Sequence, residues 1–128
     1  MAQINVQVDC GNSPKKAFLR DFNIAFAEGN ADYIINAVTD DIVWTIVGDK
    51  RVIGKDDFTK TIHEMEDFFI KELTIHTIIT HGREASVNGV MVLPDGKCYS
   101  FCDIYHFKNT TSTDIKSMMS YVIEVANE

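Results

Sequence analysis

The stretch SFCDIYHF, residues 100–107, predicts a β-strand with an unusual buried face. Its large apolar side chains, Phe101, Tyr105 and Phe107, fall at alternate positions, which is the period of a strand that buries one side. Asp103 belongs to the same alternating set, so the pattern predicts a carboxylate on the buried side. Removing a carboxylate from water without partners costs several kcal/mol. Asp103 therefore has either buried partners or a function that keeps it there.

The strand pattern continues on both sides of this stretch. Pro94, Asp95 and Gly96 predict a tight hairpin turn before it, and residues 109–114 predict a looser turn after it. The second half of the chain therefore predicts an antiparallel meander of four strands, at roughly 73–81, 84–93, 97–107 and 114–125.

The first half of the chain starts with the period of helices. Ser13 followed by Pro14 is a favourable helix start, and Gly29 is a favourable helix end. Asn30 can cap a shorter second helix that runs to about Ala37. The apolar stripe of the first helix recurs every four residues, at Phe18, Phe22 and Phe26.

A strand and a third helix connect these two halves. The β-branched run DDIVWTIVGD, residues 40–49, predicts a strand, whereas residues 1–12 predict only a loose lead-in. Because the helices precede most of the strands, we predict one α+β domain over residues 1–128, with three helices on one face of a curved sheet. The third helix is predicted from the spacing of Phe58, Ile62, Met65 and Phe69.

Composition excludes several classes of partner. The 128 residues are enough for one domain, and 45% hydrophobic and 24% charged residues are typical of a globular protein. A net charge of −7 without a basic run argues against nucleic acid and against an anionic membrane surface. No apolar run is long enough to span a bilayer and no signal peptide is recognisable, so we expect a cytoplasmic protein.

Neither a metal nor a cofactor is predicted. No two histidines have the spacing of metal ligands, and the chain has no glycine-rich phosphate loop. Cys98 and Cys102 are predicted to be reduced packing residues, because they lie on one side of a strand about 13 Å apart, too far for a disulfide. A reactive thiol stays open for Cys10, although no neighbour in the sequence would lower its pKa. The histidines of the chain are His63, His76, His81 and His106, and its cysteines are Cys10, Cys98 and Cys102.

Several stretches together resemble the nuclear transport factor 2-like superfamily, and within it the SnoaL and ketosteroid-isomerase-like branch. The resemblance implies a cone, in which a strongly curved mixed sheet wraps around three helices and leaves a pocket between sheet and helices. It also implies a homodimer through the outer face of the sheet. Members include isomerases, cyclases, dehydratases, binding modules and transport adaptors, so it implies no single activity. The stretches are FLRDFNIAFAEGNADYI (18–34), VTDDIVWTIVG (38–48), RVIGKDDFTKTI (51–62), FCDIYHF (101–107) and DIKSMMSYVIEV (114–125).

The resemblance can be carried over to three functional positions. Ketosteroid isomerases use a tyrosine on the first helix, an aspartate base on the first long strand and a protonated aspartic acid. The matching positions here are Phe22, Ile46 and Asp103. Because the phenol and the base are replaced, steroid isomerisation by that mechanism is not expected. SnoaL-type cyclases also use an acidic pocket residue, so Asp103 keeps an acid/base role under this resemblance.

The same resemblance implies the lining of the pocket. Trp44 is in phase with Ile46, so we predict that it forms a pocket wall whose indole N–H donates to a ligand. Tyr105 lies two residues from Asp103, about 7 Å along the strand, and is predicted to reach the same ligand. This lining suits a small apolar or polycyclic molecule with one carbonyl or hydroxyl. The other predicted lining residues are Phe22, Phe101, Met118, Ser120 and Val122.

Three functions remain open at this point. The first is cofactor-free proton transfer, such as isomerisation, cyclisation or dehydration, with Asp103 as acid/base and with Trp44 and Tyr105 positioning the substrate. The second is a non-catalytic ligand-binding module in which Asp103 anchors a polar group. The third is a protein-interaction adaptor whose cone is filled by its own side chains. Asp103 itself is either a carboxyl satisfied by structural hydrogen bonds or one whose pKa is raised by an apolar cavity.

Overall fold

The computed structural model describes residues 2–126, and these form three helices and seven strands. One mixed sheet has the order β1-β4-β5-β6-β7-β2-β3, with parallel pairs β1–β4 and β2–β7 and antiparallel pairs elsewhere. The predicted α+β class is therefore confirmed. The helices are α1 (Pro14–Glu28), α2 (Ala31–Asn36) and α3 (Lys55–Glu64), and the strands are β1 (Gln3–Val6), β2 (Val38–Ile46), β3 (Lys50–Ile53), β4 (Glu72–His81), β5 (Glu84–Val92), β6 (Cys98–Phe107) and β7 (Ile115–Val125).

Both ends of α1 follow from local chemistry. The Ser13 hydroxyl accepts a hydrogen bond from the Lys16 N–H at 3.2 Å, and Pro14 occupies the first helical position, where no N–H is needed. Gly29 ends the helix with φ of 70°, a left-handed conformation that costs glycine little. These caps fix the length of the helix that faces the sheet.

One hydrophobic core joins the helices to the sheet. Leu19 and Phe22 of α1 and Phe58 of α3 pack in the same buried cluster as strand residues. We call the sheet surface that contributes to this cluster the inner face and the opposite surface the outer face. None of the described helices is long and apolar enough to cross a membrane. The strand residues of the cluster include Ile75, Val87, Tyr105 and Ile115.

A glycine lets β5 approach its neighbours closely at the centre of the sheet. Gly89 pairs with Ile75 on one side and with Phe101 on the other. A Cβ atom at this position would lie 2.0 Å from the Thr74 carbonyl oxygen and 3.0 Å from the Phe101 ring. Because real Cβ atoms do not approach backbone that closely, only glycine fits, and the Phe101 ring lies against it. The ring is thereby held in place on the inner face.

The predicted lead-in of residues 1–12 is wrong, because it contains a strand; Met1 lies outside the described residues. β1 pairs in parallel with the start of β4, which places Asn5 beside Thr74, 69 residues away. Ile4 packs against the core. Four residues with a partner this distant carry too weak a local pattern to predict a strand.

The strand predicted at 40–49 is present as β2, the first strand of a hairpin, and residues 47–49 form the turn. β2 begins at Val38 and ends at Ile46, and β3 returns antiparallel to it. Gly48 has φ of 84°, and the Asp49 N–H donates to the Ile46 carbonyl at 3.0 Å, which closes the turn. The short β3 escaped prediction because its only buried side chain is Val52.

The third helix is shorter than its apolar stripe predicted. α3 ends at Glu64, and Phe69 is 70% exposed instead of buried. The Glu66 N–H donates to the His63 carbonyl and the Phe68 N–H to the Met65 carbonyl, so the chain leaves the helix in tight i to i+3 turns. These turns are needed because β4 starts at Glu72.

Candidate functional site

A cavity of about 520 Å³ lies between the helices and the inner face of the sheet. Its wall is mainly apolar and comes from all three helices and from strands β2 and β4–β7. The structure brings all the predicted site residues to this wall. They are Asp103 and Tyr105, with Phe22, Trp44, Ile46, Phe101, Met118 and Val122.

Four aromatic rings form a continuous part of the wall. Phe22 contacts Tyr105 edge-on, with ring centroids 6.0 Å apart, and contacts Phe26 at 5.3 Å. Phe26 in turn contacts Trp44 at 5.8 Å. Edge-to-face contacts of this kind stabilise aromatic clusters, so the wall is held in one arrangement. Val122 is 45% exposed, which puts it towards the open end of the cavity.

Asp103 lies on the inner face at the middle of β6. It is half-buried, faces Val87 of β5 on one side and Ser120 of β7 on the other, and contributes to the cavity wall. Its neighbours on the same face, Phe101 and Tyr105, are buried. A carboxylate therefore stands in an apolar wall, as the strand alternation predicted.

The first set of partners of Asp103 reaches back to α1. The Tyr105 hydroxyl donates a hydrogen bond to Asp103 Oδ2 at 3.3 Å. Asn23 Nδ2 donates to Tyr105 Oη at 3.2 Å and to the Leu19 carbonyl oxygen at 2.8 Å. Because the amide occupies a lone pair of the phenol oxygen, it orients the phenol proton towards the carboxylate.

The second set of partners reaches across to β2. Trp44 Nε1 donates to Ser120 Oγ at 2.9 Å, and Ser120 stands directly opposite Asp103 in the β6–β7 ladder. The Ser120 hydroxyl beside Asp103 lowers the pKa of that carboxyl, because it favours the ionised form. The Trp44 indole N–H, which was predicted to donate to a ligand, therefore donates to Ser120 within the protein.

Burial and the neighbouring hydroxyl groups have opposite effects on the pKa of Asp103. Burial raises the pKa of Asp103 to about 6, while hydrogen bonds from Ser120 and Tyr105 favour the carboxylate and limit the rise. Burial, reinforced by the negative charge of Asp103, raises the pKa of Tyr105 well above its usual value. Near neutral pH the site is thus a carboxylate held beside a protonated phenol.

The hydrogen bonds leave one kind of polar group available inside the cavity. Among the described residues of the inner wall, the donors of Asn23, Trp44 and Tyr105 are engaged within the protein, and the Thr61 hydroxyl donates to the Asp57 carbonyl. The Asp103 carboxylate keeps acceptor capacity, since an ionised carboxyl has about four lone-pair sites. The interior therefore offers a ligand an acceptor.

The mouth of the cavity is charged. Asp49 and Lys50 come from the β2–β3 turn, and Glu64 and Glu66 from the end of α3 and the following turn. All four are exposed, and Glu66 is paired with His63. Carboxylates outnumber the ammonium group at this end.

Asn23 belongs to the candidate site but was not predicted from the sequence pattern. It is buried, 7% exposed, and it links α1 to the carboxylate through Tyr105. The available signal was its i, i+4 spacing from Leu19 and to Ala27, two residues of the buried helix face. Its partner lies 82 residues away, so the pattern alone could not identify the contact.

Metal ligands are not grouped in the described part of the chain. No three His, Cys, Asp or Glu side chains lie close enough there to hold a metal ion. The three cysteines are unpaired, with Cys98 buried and Cys10 and Cys102 half-buried. The chemistry that the described cavity supports is that of its carboxylate and hydroxyl groups.

Known proteins share this architecture. An NTF2-like protein of unknown function from Cytophaga hutchinsonii is 26% identical, with a TM-score of 0.66 over 85% of this chain and 99% of that chain. An NTF-2 like protein of unknown function from Burkholderia xenovorans is 13% identical, with a TM-score of 0.75 over 94% of this chain and 91% of that chain. An LEH-like epoxide hydrolase from M. tuberculosis is 18% identical, with a TM-score of 0.71 over 85% of this chain and 82% of that chain.

The last two likenesses show the fold alone, because fold is shared by proteins of different activity. No curated protein matches the chain. The sequence model of the SnoaL-like domain matches residues 19–113, which is most of the chain and includes most of α1 and the strand that carries Asp103. The chain therefore belongs to the SnoaL-like domain family.

Proposed function

We propose that the protein binds a small, largely apolar organic molecule in the cavity, and that Asp103 acts there as a general base in a cofactor-free proton transfer. The observation that carries this proposal is a carboxylate in an apolar cavity wall with a pKa raised to about 6. A base is most effective when its pKa lies near the working pH, because it is then both deprotonated and basic enough.

The hydrogen bonds favour a base over an acid as the resting state of Asp103. Tyr105 donates to the carboxylate, and its hydroxyl is oriented by the Asn23 amide. The Ser120 hydroxyl opposite Asp103 also lowers the pKa of Asp103, so both neighbours favour the ionised form. In this respect the site differs from the protonated aspartic acid of ketosteroid isomerases that the resemblance implied.

The proposed step transfers one proton from substrate carbon or oxygen to a carboxylate oxygen of Asp103. The electron pair of the broken bond forms a new double bond of the substrate or attacks an electrophilic carbon within it. Asp103 then returns the proton: to another carbon in isomerisation, to the new alkoxide oxygen in cyclisation, or to the departing hydroxyl, which leaves as water, in dehydration. While Asp103 is protonated it needs the Tyr105 donor less, so the Tyr105 hydroxyl can turn towards a developing oxyanion. Trp44 and the neighbouring rings hold the apolar part of the substrate.

A second candidate is the non-catalytic binding module. The engaged donors of Asn23, Trp44 and Tyr105 support it, because they leave no preformed oxyanion hole around the carboxylate. The filled-cone adaptor is disfavoured by the cavity of about 520 Å³, which falls within the usual range for small-molecule sites.

A test of base catalysis is the ring opening of nitrobenzisoxazole, in which a base removes a C–H proton while the N–O bond breaks to give a coloured phenolate. We expect the protein to accelerate this reaction, with a rate that rises through an apparent pKa of about 6. Asp103→Asn, which keeps the shape of the side chain, should lower the rate at least roughly 100-fold.

The matched control is Glu64→Gln, which removes an exposed mouth carboxylate and should leave most of the rate intact. If Asp103→Asn and wild type react equally fast, Asp103 is not the base. If neither accelerates the reaction although both bind apolar ligands, the binding module becomes the better description.

We propose in addition that two copies associate through the outer face of the sheet and that the protein works in the cytoplasm. The first is supported by the exposed apolar side chains Tyr121 and Ile123 on β7. The second is supported by three free cysteines in one small domain, which is typical of a reducing compartment.

A further inference from the structure

The hydrogen-bonding capacity of the cavity is one-sided. In the described interior wall, the donors of Asn23, Trp44 and Tyr105 are engaged within the protein, and so is the Thr61 hydroxyl, whereas the Asp103 carboxylate keeps free lone pairs. A ligand carbonyl or carboxylate would bury its oxygen without a donor, which costs more than the contact returns. A ligand group that donates hydrogen bonds would instead complete the site.

The charges around the cavity also favour a ligand that carries a hydrogen-bond donor, in particular a cation. Asp103 is the charged group of the interior, and at the mouth Asp49, Glu64 and Glu66 outnumber Lys50. No salt bridge of the described residues engages Asp49, Lys50 or Glu64. The chain as a whole carries a net charge of −7. An approaching cation is therefore attracted and an anion repelled, both at the entrance and inside.

The aromatic rings of the wall are a third feature that favours binding of a cation. The chain of rings from Tyr105 through Phe22 and Phe26 to Trp44 lines the same cavity as the carboxylate. Aromatic rings around a carboxylate are favourable surroundings for an organic ammonium ion, because ring faces attract cations while the hydrocarbon remains in an apolar environment.

We propose that the cavity is selective for amines: it binds an apolar molecule whose protonated amino group donates to the Asp103 carboxylate, accepts the corresponding alcohol less tightly, and excludes the corresponding carboxylate. This inference rests on the cavity of the proposed function and names the ligand class, but it does not require that Asp103 perform catalysis. Phosphorylated and other anionic molecules are excluded for the same reason as carboxylates.

Three ligands with one rigid apolar body test the proposal: adamantylmethylamine, adamantylmethanol and adamantanecarboxylate. Trp44 is the only tryptophan of the 128 residues and lines the cavity, so its fluorescence reports occupancy, and titration calorimetry gives an independent affinity. At pH 7.5 we expect the amine to bind roughly tenfold or more tightly than the alcohol, and the carboxylate at least roughly tenfold more weakly than the alcohol.

Two variants locate the origin of the selectivity. Asp103→Asn should bring the affinities of the amine and the alcohol within about threefold of each other, because it removes the charge and keeps the volume. Asp56→Asn, at an exposed carboxylate on α3 outside the cavity wall, should leave the same ratio within about twofold of its wild-type value, since exposed charges are screened. An effect of Asp56→Asn as large as that of Asp103→Asn would overturn the assignment of the amine to Asp103.

The ligand series on the wild type decides the matter even if a variant does not fold. Equal affinity for the three ligands, preferential binding of the carboxylate, or no binding of any of them would each overturn the proposal. Failure here is distinguishable from failure of the proposed catalysis, which is measured by turnover of nitrobenzisoxazole. Selective amine binding without turnover would support this inference and reject the general base.

Discussion

The inner and outer faces of strands β6 and β7 each carry side chains that depart from the usual distribution of polar and apolar residues. On the inner face, Asp103 and Ser120 stand opposite each other beside the cavity, and Ser120 is 8% exposed. On the outer face, Tyr121 is 38% and Ile123 is 66% exposed. Under the two proposals above, a ligand completes the polar inner surface and a second copy covers the apolar outer one.

The buried Asp103 carboxylate should destabilise the folded protein, and removing it should give the largest change in unfolding free energy. The pKa of Asp103 is raised from 3.8 to about 6, which corresponds to about 3 kcal/mol against the ionised folded state. Below pH 3.8 the group is protonated in both states and has no such effect. Between pH 3.8 and about 6 the unfolded chain releases this proton while the folded carboxyl keeps it, so stability falls over this range and the loss is complete above it.

Asp103→Asn should therefore be more stable than wild type at pH 7, by about 1–3 kcal/mol, because it removes the buried charge. The advantage should shrink as the pH falls from 6 towards 4. Urea unfolding of both proteins at several pH values measures the difference. Glu124→Gln, at an exposed carboxylate on β7, is the control and should stay within about 0.5 kcal/mol at every pH. A destabilised Asp103→Asn at pH 7 would mean that the carboxylate is a structural group.

The difference between the two faces could be predicted from sequence because a strand alternates strictly. The alternation of Phe101, Asp103 and Tyr105 fixed which side chains share a face, and any slip by one residue would have exposed the aromatic ones. The helices of the fold were predictable from their caps and stripes, except for the end of α3. There the stripe continued to Phe69, but the chain must turn to enter β4.

The rest of the site depends on contacts between distant parts of the chain. Asn23 follows Phe22 on α1, and the helical period alone does not say that both side chains reach Tyr105, one by a ring contact and the other by a hydrogen bond. The pairing of Trp44 with Ser120 joins residues 76 positions apart through the parallel contact of β2 with β7. β1 was missed for the same reason, because its pairing is set by β4 and not by its own four residues.

The second prediction concerns the link from α1 to the inner face. Asn23→Leu leaves the Tyr105 oxygen without its donor and should cost about 1–2 kcal/mol of unfolding free energy. The same substitution at exposed Asn36, on α2, should stay within about 0.5 kcal/mol. A merely structural Asn23 would change stability alone. A positioning Asn23 should also raise the apparent pKa in the nitrobenzisoxazole pH profile, because a less polarised phenol stabilises the Asp103 carboxylate less.

A substitution on the outer face should have the smallest effect on the unfolding free energy of a single chain. It also tests directly whether two copies associate through this face. Ile123→Lys should change the unfolding free energy of the monomer by no more than about 0.5 kcal/mol, because the side chain is already 66% exposed. If two copies bury this surface, the same change should convert a dimer into a monomer in sedimentation velocity, because a lysine facing its symmetry mate adds a buried charge. Lys116→Ala, at an exposed position on the same strand, should leave the association unchanged. A wild-type protein that sediments as a monomer at high concentration would contradict the proposed dimer, because a second copy would then not cover these apolar side chains.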